Sequence, residues 1–418
     1  MKTKTNVLVL GGGAVGLCTA YYLSREGASV TVVDQGEMGH GSSLHNAGYI
    51  SPSHFIPLAS PGLFIQAMKW MVDPRSPFYV KPRLNLDLML WGYKFWRSSN
   101  DLIARRAMPV LKSLLHDSAL LTGELARVPG LDFELTKKGL CMLYRTEKSH
   151  HACEHEDQLA RELGVESRLL DRKGLAALDP AIDFRAEGGL FFPGDAHIFP
   201  AAFVQTMAAH LEKSGVQMLR NCAVKGFERS DGRIGGVITD RGPIQADTIV
   251  LAGGAWLPGI LRAVGIRMLL QAGKGYSITL KDPPVKPSLP YILMERRVAV
   301  TPFAKSLRFA GTMEIAGTTL SITQPRVEAI LDAVPVYFGN VARPQSTDGE
   351  VWAGLRPVSP DGMPYIGRMK KYPNLIAATG HAMVGMSLCA VTGKLVAEIA
   401  AGKTPSHDLT LVDPNRFD

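Results

Sequence analysis

The chain has 418 residues, of which 46% are hydrophobic and 20% are charged, and its formal net charge is +8. These values exclude an intrinsically disordered chain and predict a soluble globular protein of two or three domains. The basic residues are scattered without a polybasic run, which argues against a nucleic-acid partner but suits an anionic substrate or an anionic membrane surface. The five cysteines form no Cys-x-x-Cys pair, so we expect reduced thiols, a cytoplasmic location and no metal site.

The first 34 residues form the most specific pattern in the chain. An apolar run at 7–10 predicts a buried strand, and a Gly-x-Gly-x-x-Gly turn then precedes a predicted helix. A second predicted strand at 30–33 ends at Asp34, whose carboxylate would accept hydrogen bonds from ribose hydroxyls. This unit predicts a dinucleotide site with the pyrophosphate at the amino end of the helix, and by itself it allows either NAD or FAD. The predicted contacts are Gly11, Gly13, Ala14, Val15, Gly16, Asp34 and Gln35.

The rest of the chain alternates helical and strand-like patterns. We predict helical structure over 60–127, interrupted near Pro74, Pro77 and Pro82, then a strand at 139–144 and a helix at 147–164. A helix over 199–213 precedes a strand at 216–219, a hairpin at 223–239 and a buried strand at 246–251 that ends in a glycine turn. Strands dominate 268–321, and a mixed pattern returns over 351–400. This order predicts two interleaved domains, each assembled from separated segments.

Four separated motifs carry further information. They are the glycine turn with Asp34, the segment 42–48, the segments 354–357 and 360–364, and the segment 374–385. Over nearly the whole chain they resemble the D-amino-acid oxidase-like family of FAD-dependent amine oxidoreductases. Within it, the chain is most similar to bacterial D-amino-acid dehydrogenases, and proteins acting on cyclic imino acids such as cis-4-hydroxy-D-proline are also similar. The segments shared with the dehydrogenases are Asn46-Ala47-Gly48, Ile50-Ser51-Pro52, Pro61-Gly62, Lys69-Trp70-Met71 and Lys274-Gly275-Tyr276-Ser277.

The resemblance implies FAD as the cofactor and an α/β fold, in which a Rossmann-like FAD-binding domain is interleaved with an α+β substrate domain built on an antiparallel sheet. We expect the FAD-binding domain to comprise 1–55, 190–262 and 346–418, and the substrate-binding domain to comprise 56–189 and 263–345. Val224 would contact the adenine through its backbone, and the helix after Gly385 would stabilise negative charge on the reduced flavin. The further predicted cofactor contacts are Ser42, Ser43, His45, Asn46, Ala47, Gly48, Val224, Ala252, Gly253, Gly254, Trp256, Gly354, Gly380, His381, Val384, Gly385 and Met386.

Three residues are candidates for the substrate site. In the family, the arginine of the Gly-Leu-Arg-Pro motif, here Arg356, grips the substrate carboxylate, and a guanidinium fork suits bidentate binding. Tyr276 would add a hydroxyl contact or a pocket wall, with a buried structural tyrosine as the alternative. His54 would face the substrate, with a solvated loop histidine as the alternative. Glycine oxidases carry a second arginine where this chain has Met383 and Val384, so we expect a more apolar pocket.

His45 precedes the Asn-Ala-Gly segment. In dimethylglycine and sarcosine dehydrogenases, a histidine in the similar Trp-His-Ala-Ala-Gly motif carries a covalent flavin bond. The resemblance therefore leaves three outcomes open for His45: a non-covalent contact near the flavin, a covalent bond, and a structural role facing away.

The function implied by the resemblance is oxidation of a D-amino acid to the imino or oxo acid, by hydride transfer from Cα to flavin N5. The alternative is oxidation of a cyclic or N-methyl amino acid, such as cis-4-hydroxy-D-proline, D-proline, sarcosine or glycine. We expect an amino-acid substrate and a quinone or other electron acceptor, and the oligomeric state is open. The tryptophan-containing, basic stretch 60–96 is either a surface facing a membrane or quinone at the inner face of the membrane, or helical core packing.

Overall fold

The structure is a computed structural model that describes residues 5–60 and 76–418. Among these residues, no helix combines the length and the apolarity needed to cross a bilayer. The strands are β1 (Asn6–Leu10), β2 (Ser29–Val33), β3 (Tyr49–Ile50), β4 (Phe78–Val80), β5 (Leu140–Tyr144), β6 (Arg168–Asp171), β7 (Gly188–Phe192), β8 (Ala196–His197), β9 (Gln217–Leu219), β10 (Val224–Ser230), β11 (Arg233–Thr239), β12 (Gly242–Gln245), β13 (Thr248–Leu251), β14 (Gln271–Lys281), β15 (Tyr291–Leu293), β16 (Val298–Phe303), β17 (Ser306–Ile315), β18 (Gly349–Val358), β19 (Tyr365–Arg368) and β20 (Leu375–Thr379). The helices are α1 (Ala14–Arg25), α2 (Leu86–Ser98), α3 (Asp101–Leu125), α4 (Glu147–Glu162), α5 (Arg172–Leu178), α6 (Pro200–Lys213), α7 (Leu257–Leu261), α8 (Gln324–Tyr337) and α9 (Gly385–Ala400), with short 3-10 helices at Gly254–Trp256, Arg262–Val264 and Thr410–Val412.

A six-stranded sheet carries the amino-terminal glycine turn. Its order is β19-β20-β13-β1-β2-β9, and its neighbours are parallel except for the edge pair β19–β20. Residues 7–10 of β1 are all buried, as expected for a central parallel strand covered on both faces. Helices α1, α3, α6 and α9 pack on one face, and α7 with the three-stranded sheet β10-β11-β12 packs on the other.

A second, larger sheet has the order β18-β14-β17-β16-β15-β5-β7-β6, with β4 also paired to β17. Most of its pairs are antiparallel; β15–β5 and β17–β4 are parallel. Helix α8 packs on one face, which we call the helix face. The segment 49–56 and helix α4 pack on the other, which we call the loop face. Side chains alternate between the two faces along each strand, so the register decides which residues can meet.

The structure confirms the predicted α/β class, and the predicted hairpin and central strands form. The predicted helical region 60–127 is only partly helical, because residues 78–80 pair as a strand with residues 313–315. Asn85 and Asn100 then begin α2 and α3, since each side chain accepts a hydrogen bond from a backbone N–H of the first helical turn. The segments Pro61-Gly62 and Lys69-Trp70-Met71, and Pro74, lie outside the described residues.

The carboxy-terminal segment 346–418 contributes to both large sheets. Strands β19 and β20 join the six-stranded sheet, whereas β18 pairs along its whole length with β14 of the larger sheet. The turn that follows β18 therefore lies where the two sheets meet. The positions of the domain boundaries stay a prediction.

Candidate active site

The turn between β1 and α1 is so tightly packed that Gly11 and Gly16 have no space for a side chain. Gly11 has a φ of +111°, and a Cβ there would lie 2.5 Å from the carbonyl oxygen of Ala252. A Cβ at Gly16 would overlap the carbonyl oxygen of Gly11. The N-cap of α1 is Gly13, which offers no side-chain acceptor, so first-turn N–H groups such as that of Val15 are available to an anion. This cradle fits the pyrophosphate of a dinucleotide.

Asp34 lies at the end of β2, beside this turn. Its Oδ2 accepts a hydrogen bond from Gly12 N (2.7 Å) and its Oδ1 accepts one from Gly36 N (2.9 Å). Burial raises the pKa of Asp34, and the two backbone N–H groups oppose that rise. An ionised carboxylate has four lone-pair sites, so it keeps capacity for ribose hydroxyls after these two bonds. Gln35, the next residue, is exposed.

The segment predicted to hold the adenine lies against the same strand end. Cys222 N donates to the carbonyl oxygen of Asp34 (2.8 Å), and Asn221 N donates to that of Gly36 (3.0 Å). Val224 follows as the first residue of β10, opposite Thr239. Val224 thus lies two residues after Cys222, which is hydrogen-bonded to Asp34, and its contact with the adenine stays a prediction.

The segment 42–48 joins the glycine turn to the loop face of the larger sheet. Ser43 Oγ accepts a hydrogen bond from Ala14 N (3.0 Å), and Ser42 Oγ donates to the carbonyl oxygen of Leu355 (2.5 Å). Asn46 holds the turn itself, because its side chain donates to Ser43 O and accepts from Gly48 N, both at 2.7 Å.

Two residues of the larger sheet hold this segment by hydrogen bonds to its backbone. Sequence reasoning missed both. Arg308 donates from Nη1 to the carbonyl oxygen of Asn46 (2.7 Å), and Thr301 Oγ1 donates to that of Ala47 (2.8 Å). Burial lowers the pKa of Arg308 to about 10, so it stays cationic at neutral pH. The alternation of strand residues was the available signal, but it does not say which face meets the segment 42–48.

His45 stacks on Trp352, with 5.0 Å between ring centroids and 25° between ring planes. Its Nδ1 is buried without a hydrogen-bond partner among the described residues, and the nearest carboxylate oxygen, on Glu350, lies 3.9 Å away. Burial first, and then the charge of Arg308, lower the pKa of His45, so the imidazole is neutral at pH 7. A buried ring nitrogen without a partner fits a contact to a bound group. The Trp352 ring also packs across Gly354, the first residue of the Gly-Leu-Arg-Pro motif.

Two further predicted cofactor segments follow the central strands. The turn 252–256 continues β13, with Ala252 N donating to the carbonyl oxygen of Leu10 (2.9 Å) and with Trp256 partly buried. The turn 380–384 follows β20 and leads into α9 at Gly385, whose N-cap residue Val384 provides no side-chain cap. His381 is buried, with Nε2 3.0 Å from Thr392 Oγ1, so only its backbone is available to a cofactor. Met386 is also buried, in the first turn of α9.

Arg356 lies on β18 and points to the loop face. Its guanidinium packs directly over the backbone of Gly275, where any Cβ would overlap Nη1. Nη1 donates to the carbonyl oxygen of Thr312 (2.7 Å). Burial lowers the pKa of Arg356 to about 10, so the group remains cationic at neutral pH. In the part of the chain that the structure describes, no acidic side chain lies within 4.0 Å of it, so this cation is suited to a carboxylate ligand.

The structure places Tyr276 and Arg356 on opposite faces of the sheet, which favours the alternative of a buried structural tyrosine over a contact with the substrate. In the strand register, Tyr276 is opposite Ala353 and Gly311, whereas Arg356 is opposite Gly273. Because Gly273 and Tyr276 are three residues apart on β14, their side chains lie on opposite faces of the sheet. The Tyr276 side chain is buried in the helix face, and its hydroxyl donates to Glu314 Oε2 (2.7 Å). The motif alone could not distinguish the two faces.

His54 lies on the loop face, as Arg356 does. Its ring contacts that of Tyr49 edge-on at 6.3 Å, and its Nδ1 is 3.1 Å from Ser53 Oγ. Burial lowers the pKa of His54 to about 4, so it is neutral at pH 7. Ser53 donates in turn to the buried carboxylate of Asp195 (2.5 Å), whose pKa burial raises to about 7. Sequence reasoning missed Tyr49 and Asp195, although Tyr49 directly follows the Asn-Ala-Gly segment.

Away from this site, His150, His151 and Glu154 on α4 place possible metal-ligand atoms within 4.8 Å of one another. His151 and Glu154 are exposed and already paired, with His151 Nδ1 2.9 Å from Glu154 Oε2. This surface group does not touch the cradle or Arg356.

Comparisons with known proteins identify the family and the fold of this chain. Residues 6–399 match the family described as FAD dependent oxidoreductase. Proteins named D-amino acid dehydrogenase from Granulibacter bethesdensis and Methylobacterium nodulans are 32% and 34% identical over 411 and 409 residues, covering 96% of this chain and 97% and 96% of the relatives. The crystal structure of a glycine oxidase from Geobacillus kaustophilus is 20% identical, with a TM-score of 0.78 over 99% of both chains. That of an L-proline dehydrogenase from P. horikoshii is 20% identical, with a TM-score of 0.73 over 100% of this chain and 98% of the other. The chain therefore belongs to the family of FAD-dependent oxidoreductases, as its motifs predicted, and FAD is its cofactor.

Proposed function

We propose that this protein is a dehydrogenase that oxidises a D-amino acid to the corresponding imino acid, which water hydrolyses to the oxo acid and ammonia. The observation that carries the proposal is Arg356, a partly buried guanidinium without an acidic partner among the described residues, on the sheet face that also carries the predicted cofactor segment. The full-length relatives named D-amino acid dehydrogenase support the substrate class.

The residues of the site would divide the work as follows. The glycine turn, Asp34 and the segment 42–48 would hold FAD, which supplies a two-electron acceptor when bound. Arg356 would bind the substrate carboxylate and so fix the orientation of Cα. The amino end of α9 would stabilise negative charge that develops next to it. We assign no general base, because this chemistry depends chiefly on orientation once the amine has lost its proton.

The apolar residues at the entrance to α9 favour a substrate with an apolar or ring side chain. Met383 is exposed there and Val384 is partly exposed, where glycine oxidases carry an arginine. A cyclic amino acid such as D-proline or cis-4-hydroxy-D-proline is therefore the second candidate substrate. With such a substrate the product imine would stay cyclic.

For the electron acceptor we propose a quinone rather than dioxygen, with the protein in the cytoplasm and in peripheral contact with the membrane. Helix α2 supports this proposal, because Leu86, Met89 and Trp96 are exposed and basic side chains are interleaved with them. Trp91 has a different place, buried with its Nε1 donating to the carbonyl oxygen of Val358 (2.9 Å). Stopped-flow reoxidation in air-saturated buffer should be slower than reoxidation by a quinone or dye, and rapid peroxide formation would contradict the assignment.

The substrate is tested by recording the visible spectrum under argon while D-amino acids, L-amino acids and hydroxyprolines are added. Bleaching of the flavin by D-amino acids, and not by their L-enantiomers, is the expected result. Bleaching by an L-enantiomer, or by none of these compounds, would refute the proposed function without any assumption about the electron acceptor.

A further inference from the structure

Arg356 is held by an irregularity in β17. This strand pairs with β16 up to Gly311 and with β4 from Met313 onward, and its register against β14 shifts at the same place. Thr312, at the switch, has a φ of +70°, a conformation that β-branched residues rarely adopt. The carbonyl oxygen that receives the Arg356 hydrogen bond belongs to this residue.

A buried network lies on the helix face directly behind this irregularity. Glu314 Oε2 accepts a hydrogen bond from the Tyr276 hydroxyl (2.7 Å), and Glu314 Oε1 lies 3.5 Å from Lys274 Nζ. Arg326 of α8 places Nε 3.5 Å from Glu314 Oε2 and donates from Nη1 to the carbonyl oxygen of Ser76 (2.6 Å). Lys274 is 1% exposed, Arg326 is 3% exposed and Glu314 is 7% exposed. The network therefore links β14 and β17 to α8.

The two faces share the same short stretches of backbone. Lys274 and Tyr276 flank Gly275, which carries the Arg356 guanidinium on the opposite face. Glu314 is two residues beyond Thr312, which supplies the carbonyl oxygen to that guanidinium. Both backbone contacts of Arg356 thus belong to strands that the network joins from behind.

We propose that Lys274, Tyr276 and Glu314 are positioning residues that hold Arg356 in the orientation required to bind the substrate carboxylate. This inference rests on the proposed role of Arg356. The inference explains all three residues of the Lys274-Gly275-Tyr276 segment. Gly275 leaves space for the guanidinium, and its two neighbours fix the position of the strand that the guanidinium packs against. A buried charged network that joins two strands to a helix restrains the position of those strands, which backbone strain alone would not do.

The test compares holoenzymes of the wild type, Tyr276→Phe and Tyr337→Phe. Tyr337 is a matched control, because it too is buried in the helix face and its hydroxyl donates to a glutamate, Glu295, away from Arg356. Flavin content, Tm, kcat and KM are measured, together with the Kd of propionate from its perturbation of the flavin spectrum. Tyr276→Phe should raise KM and the propionate Kd about tenfold with flavin content unchanged, below the roughly hundredfold cost of a 1 Å misplacement. Tyr337→Phe should alter Tm alone.

A double-mutant cycle separates positioning from general destabilisation. In an Arg356→Met background, Tyr276→Phe should have no further effect on kcat/KM. An equal effect in both backgrounds, or a propionate Kd no higher than that of Tyr337→Phe, would overturn the inference. If Tyr276→Phe does not fold, Glu314→Gln provides the same comparison, since it removes the charge but keeps the shape. Failure of the proposed function is a separate result, seen when the wild-type flavin is not bleached by any amino acid.

Discussion

Replacing Arg356 with lysine should weaken substrate binding far more than it disturbs flavin binding. The guanidinium has five N–H donors, and Nη1 already spends one of them on the carbonyl oxygen of Thr312. The remaining donors can bind a carboxylate through two parallel hydrogen bonds. A lysine ammonium has three donors on one atom and cannot reproduce that planar fork.

The magnitude follows from the environment of the site. Arg356 is partly buried and has no acidic partner among the described residues, so the carboxylate would be its main counter-charge. Loss of the bidentate hydrogen bonding in such a buried charge pair should reduce transition-state stabilisation by about 2–4 kcal/mol. At about 1.4 kcal/mol per factor of ten, kcat/KM should fall roughly 30- to 700-fold, with most of the change in KM.

The assay is steady-state kinetics with an artificial dye as the acceptor, combined with the flavin content of each purified variant. Arg416→Lys is a suitable control, because it changes another half-buried guanidinium, one already paired with Asp361 at 2.7 Å. The control should keep wild-type KM. Near-wild-type kinetics for Arg356→Lys would remove Arg356 from the substrate site, and parallel loss of flavin would show that the residue supports the cofactor instead.

Three further outcomes are expected. Gly13→Val should give colourless protein, because the added side chain would occupy the phosphate cradle, and even its Cβ would lie only 3.1 Å from Ser43 Oγ. A yellow variant with normal flavin content would refute the assignment of this turn to the pyrophosphate. Acid precipitation of the wild type should leave the yellow colour in the supernatant, because we expect His45, which stacks on Trp352, to contact the flavin without a covalent bond; a yellow pellet that becomes colourless in His45→Ala would instead establish a covalent bond. Asp195→Asn should flatten the dependence of Tm on pH. Burial raises the pKa of Asp195 from 3.8 to about 7, so between these pH values the folded protein holds a proton that the unfolded chain has lost, and the free energy of unfolding falls as the pH rises through that interval. An unchanged pH profile of Tm in Asp195→Asn would contradict this assignment.

The sequence by itself determined the features that depend on local spacing. The strand, glycine turn, helix and acid of residues 6–34 are one continuous unit, and each part has its role through neighbours in the chain. The Gly-Leu-Arg-Pro motif likewise identified Arg356 as a candidate before its surroundings were known. The resemblance of separated motifs gave the family and the cofactor, which the comparisons confirm.

Tertiary structure decided the features that depend on strand pairing across long distances. The alternation of Lys274, Gly275 and Tyr276 is evident in the sequence, but only the register against β17 and β18 shows which of them meets Arg356. The stretch 78–80 pairs with a strand more than 230 residues away in the sequence. The prediction of a helix there was wrong because local sequence does not show that distant partner. A strand's side chains alternate between two faces whatever their identity, and the choice between those faces is made by the packing of the whole sheet.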